Sequence, residues 1–131
     1  MKEKACANME AAKLLASHSF FDSAASRAYY SVYLMAWYYV GLYGFHPSSE
    51  SIYSRRTVDG NHYWKHYEFP VFLNEEGFIG PAQMEKLEVL RQSRTKADYY
   101  SEEIEEEEAK HSVRIAYEFI EFFSTEEGRI E

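Results

Sequence analysis

The residues best suited to chemistry in this sequence are charged side chains on otherwise apolar helical stripes. Arg94 shares a stripe with Leu87 and Leu90, and Asp98 follows it at a spacing of four residues. An arginine cannot lose its charge, so a buried one needs a carboxylate or a ligand anion as partner. Arg91 precedes Arg94 by three residues, about one helical turn. The spacing therefore predicts a charged cluster on the inner side of a helix.

Arg27 is a second charged residue in an apolar setting, on a segment rich in alanine and tyrosine that includes Tyr30. Two interpretations stay open. In the first, these charges form a satisfied ion network between helices. In the second, they line a polar cleft that holds a phosphate or the edge of a nucleotide. The residues that would face one another in such a cleft are Arg27, Arg91, Arg94, Asp98 and nearby tyrosines.

Four segments have the apolar periodicity of long helices, and these would position the charged residues. They are 2–17, Phe20–Leu42, Pro81–Tyr100 and Glu102–Ser124. Ser19 and Ser101 are predicted N-caps, and Gly80-Pro81 is a typical helix start. Residues 44–80 are too long for a bare connection, and we expect one short helix near Asn61–Leu73. The predicted fold class is all-α: an up-and-down four-helix bundle with a long, partly helical loop between helices two and three.

The length and charge of the chain exclude some classes of function. The 131 residues fit a single domain spanning 1–131, and 46% hydrophobic with 18% aromatic residues predicts a packed core. The formal net charge is −8, and it is concentrated in residues 61–131, which carry seventeen acidic and eight basic side chains. Binding that depends chiefly on phosphates needs a basic face. We therefore expect no DNA partner, and any nucleic-acid contact would use a local pocket.

Cysteine usage and hydropathy indicate the compartment. Cys6 is the one cysteine, so it has no internal disulfide partner, and the N-terminus lacks the apolar run of a signal peptide. The most apolar stretch, Tyr29–Val40, is too short to span a bilayer. These features predict a cytoplasmic protein without a membrane partner.

Metal and cofactor motifs are weak. Glu108 and His111 have the Glu-x-x-His spacing of di-iron bundles, but such sites need a second copy of the motif. His62 and His66 are four residues apart and lack an obvious third zinc ligand. We expect neither a metal nor a cofactor.

Two stretches resemble the HEPN superfamily. They are SRAYYSVYLMAWYYV, Ser26–Val40, and RQSRTKADYY, Arg91–Tyr100. In the branch that this chain resembles, helix two carries an R-A-Y-Y core and helix three ends in R-x-x-A-D-Y. The middle loop has a histidine followed by aromatic residues, matched here by His62 through Phe72. The resemblance covers most of the chain, from the first helix through Phe123.

The resemblance implies a helical bundle that forms a homodimer and is often encoded beside a minimal nucleotidyltransferase, as a toxin–antitoxin-type pair. Many HEPN domains are metal-independent RNases that have, at the end of helix three, an arginine and a histidine with four to six residues between them. Here Arg94 is followed by Thr-Lys-Ala-Asp-Tyr-Tyr without a histidine. An aspartate cannot replace an imidazole that exchanges protons near pH 7. Arg56 and His62 do have the spacing, but they lie in the long loop and are interpreted as a chance match.

The hypothesis that best fits these features is a non-catalytic, HEPN-like binding module. It would pair with a nucleotidyltransferase and bind a nucleotide or RNA in the polar cleft, with Arg27, Tyr30, Arg91 and His62 as anion-binding candidates. The alternative is a metal-independent endoribonuclease toxin, for which the catalytic candidates are Arg94, Asp98 and Tyr99. A metalloprotein is a third and weaker hypothesis.

Overall fold

A computed structural model describes residues 1–45 and 68–130 of the chain, with the backbone alone for residues 129 and 130. The described residues form five helices: α1 Lys2–Ser17, α2 Phe21–Gly41, α3 Phe69–Glu75, α4 Pro81–Tyr99 and α5 Glu106–Ile130. These residues include no β-strand. The predicted all-α class is therefore confirmed. Within the described ranges the helix count is five, because α3 is a separate helix between α2 and α4.

Helix α2 is central because it is apolar on nearly every side. It packs against α1, α4 and α5, so the other long helices all share it as a neighbour. Val32, Met35 and Val40 are almost completely buried along its length. Each such side chain contributes about 1.5–3 kcal/mol relative to an exposed position. A helix that is hydrophobic all round is stable in water only when it is covered in this way.

Helices α1 and α5 cover α2 with narrow buried stripes. In α1, the small and flexible residues Ala5, Met9 and Ala12 allow the two helices to approach closely. In α5, the apolar periodicity of the sequence predicts a buried stripe of Ala109, Val113, Ala116, Ile120 and Phe123. This prediction is partly wrong, because Val113 and Ile120 are only half-buried. The buried side chains of α5 are Ala109, Ser112, Ile115, Ala116, Phe119 and Phe123. The buried stripe is thus rotated toward Ile115 and Phe119.

Aromatic stacking fixes α3 against α2. The Phe69 ring lies parallel to Trp37 with ring centroids 4.1 Å apart, and Phe72 is completely buried. The prediction of a short helix near Asn61–Leu73 can be compared only from residue 68 onward, and α3 runs from Phe69 to Glu75. Tyr63, Trp64 and Tyr67, the other aromatic residues of that segment, lie outside the described residues.

The predicted N-cap at Ser19 is wrong. Ser19 has a φ of 66° and follows the end of α1, where its N–H donates to the Ala16 carbonyl at 3.1 Å. The Phe20 N–H donates to the Leu15 carbonyl at 2.8 Å. These two bonds form a Schellman motif, in which a left-handed residue closes the helix. Phe20 is the N-cap of α2 and provides no side-chain cap.

The predicted start of the last helix at Glu102, with Ser101 as its cap, is also wrong, because α5 begins at Glu106. Tertiary contacts keep the preceding residues out of the helix. The Ile104 N–H donates to Asp22 Oδ1 at 2.7 Å, and the Ile104 side chain is buried in a small cluster with Ala25 and Ala109. Asp22 therefore anchors the α4–α5 connection instead of capping its own helix.

Candidate functional site

The site predicted around Arg94 lies where α4 crosses α2. Arg94 is only 4% exposed, and it follows Leu87 and Leu90 on the buried stripe of α4. Arg94 lies on the same face of α4 as these leucines, so its side chain is directed inward with theirs. The sequence prediction of a buried arginine at this position is therefore confirmed.

Three tyrosines and one carboxylate surround the Arg94 guanidinium. Arg94 Nη2 donates to the Tyr30 hydroxyl at 2.7 Å and to the Tyr99 hydroxyl at 3.5 Å. Arg94 Nε lies 3.1 Å from Asp98 Oδ2, as predicted for a pair four residues apart on one helix. The guanidinium carbon lies 5.2–5.8 Å from the ring centroids of Tyr29, Tyr30 and Tyr99. We call this group of five residues the Arg94 seam.

The Nε contact is an ion pair rather than an aligned hydrogen bond. The Arg94 N–H at this atom is buried and has no hydrogen-bond acceptor in the described structure, although the Asp98 oxygen is close. Asp98 is held by a second group, since Ser26 Oγ of α2 donates to its Oδ2 at 3.3 Å. Ser26 was not identified as a site residue from the sequence, and its position one turn before Tyr30 on α2 is the signal that could have found it.

Burial and charge set the protonation states in the seam. Burial disfavours the Arg94 charge, but Tyr30, Tyr99 and Asp98 outweigh it, and the pKa of the guanidinium is raised. Burial also raises the pKa of Tyr29, and neighbouring Tyr33 raises it further, whereas Arg94 opposes both effects. The seam therefore holds a permanent cation beside a neutral Tyr29 at physiological pH.

The seam reaches solvent at the C-terminal end of α4. Tyr99 is 63% exposed, and the Asp98 side chain retains 31% of its accessible surface. Tyr30 is half-buried between this opening and the core. A ligand would therefore meet the Tyr99 hydroxyl and the Asp98 carboxylate first, and the Arg94 guanidinium only beneath them.

Of the two predicted anion-binding arginines, Arg27 lies away from the seam and Arg91 lies beside it in an ion pair. Arg27 is exposed and its Nη1 donates to Asn8 Oδ1 of α1 at 3.2 Å. Its neighbour Ser26 faces α4, and one residue of helix rotates the side chain by about 100°, which takes Arg27 out of the seam. Arg91 makes a bidentate ion pair with Glu88, with Nε to Oε2 at 3.1 Å, and its charge opposes the rise in the Tyr29 pKa. The predicted convergence of all these charges is thus wrong for Arg27.

His62, the remaining anion-binding candidate, lies outside the described residues, as do Arg56 and His66. The Glu-x-x-His pair is engaged in other contacts: Glu108 pairs with Lys96 at 3.2 Å, and His111 contacts Arg114 at 3.3 Å. Across residues 1–45 and 68–130, no three His, Cys, Asp or Glu side chains are close enough together to hold a metal ion.

Comparison with protein-family models, curated proteins and solved structures gives no significant match to this chain. Among the helices that the structure describes, none combines the length and apolar character needed to cross a membrane. The function is therefore argued from the geometry of the site itself.

Proposed function

We propose that this protein is a HEPN-like, non-catalytic helical binding module that binds a nucleotide or RNA phosphate at the opening of the Arg94 seam. The observation that carries this proposal is a permanently charged arginine, 4% exposed, enclosed by tyrosine rings beside a solvent-facing hydroxyl. Desolvated guanidinium groups and oriented hydroxyls are typical phosphate ligands. A buried charge is costly, so its retention on an apolar stripe favours a binding role.

The Tyr99 hydroxyl is the group best placed to contact the phosphate. It accepts a hydrogen bond from Arg94, and its own proton has no acceptor among the described residues. A hydroxyl that accepts from a cation is polarised and becomes a better donor. Its ring is exposed beside it, and a base can stack on such a ring. Tyr99 would therefore donate to the phosphate, and Arg94 would strengthen that bond from beneath.

Asp98 is the group that argues against RNA cleavage at this site. Its carboxylate is engaged by Arg94 and by Ser26, and it occupies the turn of helix where a general acid or base would follow the arginine. An ionised carboxylate can only accept hydrogen bonds, so it cannot supply the leaving-group proton that an imidazolium would. The described part of the seam contains no histidine.

The net charge predicts which binding partners the module can take. With a formal net charge of −8, the chain repels long polyanions, and Asp98 already balances the charge of Arg94. We therefore propose that the module contacts one or two phosphates of single-stranded RNA or a mononucleotide, and not a duplex.

The test is a pair of tyrosine variants assayed with a fluorescein-labelled, twelve-nucleotide single-stranded RNA in EDTA. Tyr99→Phe keeps the ring and removes the hydroxyl, so we expect its Kd by fluorescence anisotropy to rise about fivefold, the equivalent of about 1 kcal/mol for one hydrogen bond. Tyr117→Phe is the matched control because Tyr117 is another exposed tyrosine, on α5, and should leave Kd unchanged. Equal affinities for wild type and Tyr99→Phe would overturn the proposed site.

We also propose that two copies associate through α2 and α4, and that a nucleotidyltransferase is the protein partner. Exposed apolar side chains at the C-terminal end of α2 support an interface there, namely Leu42 and Tyr43. Light scattering at micromolar concentration should give the mass of a dimer. A monomeric mass at these concentrations would contradict the self-association.

A further inference from the structure

A groove between α4 and α5 lies on a different side of α4 from the Arg94 seam. Both helices pack on α2, and they meet each other through polar pairs such as Lys86–Glu118 and Lys96–Glu108. The groove that remains has a volume of about 740 Å³, which is within the range of small-molecule sites. Its chemistry comes mainly from Arg91, Gln92, Lys96, Tyr100, Glu108 and His111.

Glu108 holds Lys96 in a fixed position within this groove. Glu108 Oε1 accepts from Lys96 Nζ at 3.2 Å, and its Oε2 accepts from the buried Ser93 hydroxyl at 2.9 Å. Glu102 lies 3.9 Å from Lys96 Nζ, beyond hydrogen-bond distance. An ammonium group has three donors, so Lys96 keeps donors for a ligand after its bond to Glu108. The lysine is thus preorganised, which lowers the entropic cost of binding.

His111 adds a second oriented donor. Its Nδ1 lies 3.3 Å from Arg114 Nη1, and a guanidinium can only donate hydrogen bonds. Nδ1 must therefore accept, and the neutral ring carries its proton on Nε2. His111 lines the groove, so Lys96 and His111 present N–H donors from the two helices that form its walls.

Tyr100 gives the groove an aromatic surface. It is 61% exposed, and its side chain makes no ring contact or hydrogen bond in the described structure. Tyr100 follows the last residue of α4 with extended backbone, which directs the chain toward α5. An exposed aromatic ring beside cationic donors suits a ligand with a flat ring.

The lining of the groove carries two cations, each of which has a carboxylate partner. Arg91 and Lys96 are permanent cations, and Glu108 is the single carboxylate among the lining residues. Glu88 pairs with Arg91 and partly neutralises its positive charge. Each of the two cations is thus paired with a carboxylate, and Glu102 also lies 3.9 Å from Lys96. An anionic group would be held by the remaining N–H donors of the groove and not by an excess of positive charge.

We infer that the α4–α5 groove binds a small molecule that combines a flat aromatic ring with a phosphate or carboxylate group. The ring would lie against Tyr100, and the anionic group would accept hydrogen bonds from Lys96 and His111. This site uses none of the residues of the Arg94 seam, so failure of either proposal leaves the other unaffected.

Four probes separate the ring from the anion: adenosine 5′-monophosphate, 2-naphthoate, adenosine and inorganic phosphate. In a titration of the ¹⁵N-labelled full chain followed by NMR, adenosine 5′-monophosphate or 2-naphthoate should bind at least tenfold more tightly than adenosine or phosphate. Binding of the first alone assigns a phosphate ligand, and binding of the second alone assigns a carboxylate. Failure of both to shift amide signals of α4 and α5 at millimolar concentration would overturn the inference, as would equal binding of adenosine.

Variants locate the bound probe. Lys96→Gln should weaken binding of the better probe at least tenfold, whereas Lys86→Gln should not, although it breaks the corresponding α4–α5 ion pair with Glu118. Tyr100→Leu should weaken binding by a similar factor, and because the side chain is exposed the variant should fold normally. Unchanged affinity in Tyr100→Leu, with normal circular dichroism, would contradict the assignment of the ring to this groove.

Discussion

At the scale of single residues, the structure is organised around one buried charge. Arg94 and Asp98 could be predicted from the sequence because their spacing of four fixes a contact within one helix. Arg27 could not be placed, because α2 is apolar on nearly every side and its pattern does not show which face meets which neighbour. The partners of a residue on such a helix depend on the rotation of the helix in the fold. Ser26 contacts Asp98 of the seam, whereas Arg27, the next residue, contacts Asn8 of α1 instead.

Replacing Arg94 by lysine should show how much the guanidinium geometry matters. Lysine keeps the charge but cannot reach Tyr30, Tyr99 and Asp98 together, as the planar guanidinium does. We expect Arg94→Lys to lower the free energy of unfolding by about 1–3 kcal/mol in urea denaturation. The exposed control Arg114→Lys should change it by less than about 0.5 kcal/mol. If Arg94→Lys lowers the free energy of unfolding no more than the control does, the seam does not depend on the planar arrangement of guanidinium donors.

At the scale of helices, the sequence predicts ends well where the signal is local and badly where it is tertiary. Gly80-Pro81 begins α4 as predicted, and Gln83 Oε1 accepts from the Gly80 N–H at 2.8 Å. Ser101 has the residue type of an N-cap, but Ile104 has a more favourable place in a buried cluster and prevents a helix from starting there. No local sequence pattern predicts that Asp22, which is distant in sequence, accepts the hydrogen bond from the Ile104 N–H.

Ser19 allows a direct test of the turn between α1 and α2. Its φ of 66° is unfavourable for a residue with a side chain, and glycine adopts it without that cost. Ser19→Gly should therefore raise the free energy of unfolding by about 0.5–1 kcal/mol, measured by thermal or urea denaturation. The matched control is Ser17→Gly, two residues earlier and inside α1, which should lower it by a similar amount. A loss of stability in Ser19→Gly would mean that the turn is not left-handed.

At the scale of the whole molecule, both ends of the described chain are tied to the central helix. Glu127 of α5 accepts hydrogen bonds from Tyr38 of α2 at 2.7 Å and from Lys2 of α1 at 2.9 Å. The all-helical class could be predicted because periodicity and composition are properties of the whole chain. This three-helix contact could not, since Lys2 and Glu127 are 125 residues apart and nothing in their local sequence pairs them.

The same contact predicts a pH dependence of stability. The hydrogen bonds from Tyr38 and Lys2 lower the pKa of Glu127 below its ordinary value of 4.5. A carboxylate with a depressed folded-state pKa stabilises the protein fully above the ordinary value, and that contribution is lost as pH falls through the folded-state value. Glu127→Gln should therefore be less stable than wild type at pH 7, and the difference should shrink below about pH 4.5.

Denaturation of the wild type and Glu127→Gln at several pH values checks this expectation. Glu118→Gln is the control, because Glu118 is half-exposed and pairs only with Lys86 among the contacts described. A difference between wild type and Glu127→Gln that stays constant from pH 7 to pH 3 would contradict the role assigned to the charged carboxylate.

The central claim is that the protein binds RNA without cutting it, and one titration tests this most directly. Wild-type protein is titrated into the end-labelled twelve-nucleotide RNA in EDTA, and the RNA is then recovered on a denaturing gel. We expect saturable binding and RNA of unchanged length after prolonged incubation. RNA that is shortened by the wild type and left intact by Arg94→Ala would contradict the claim, and so would the absence of saturable binding.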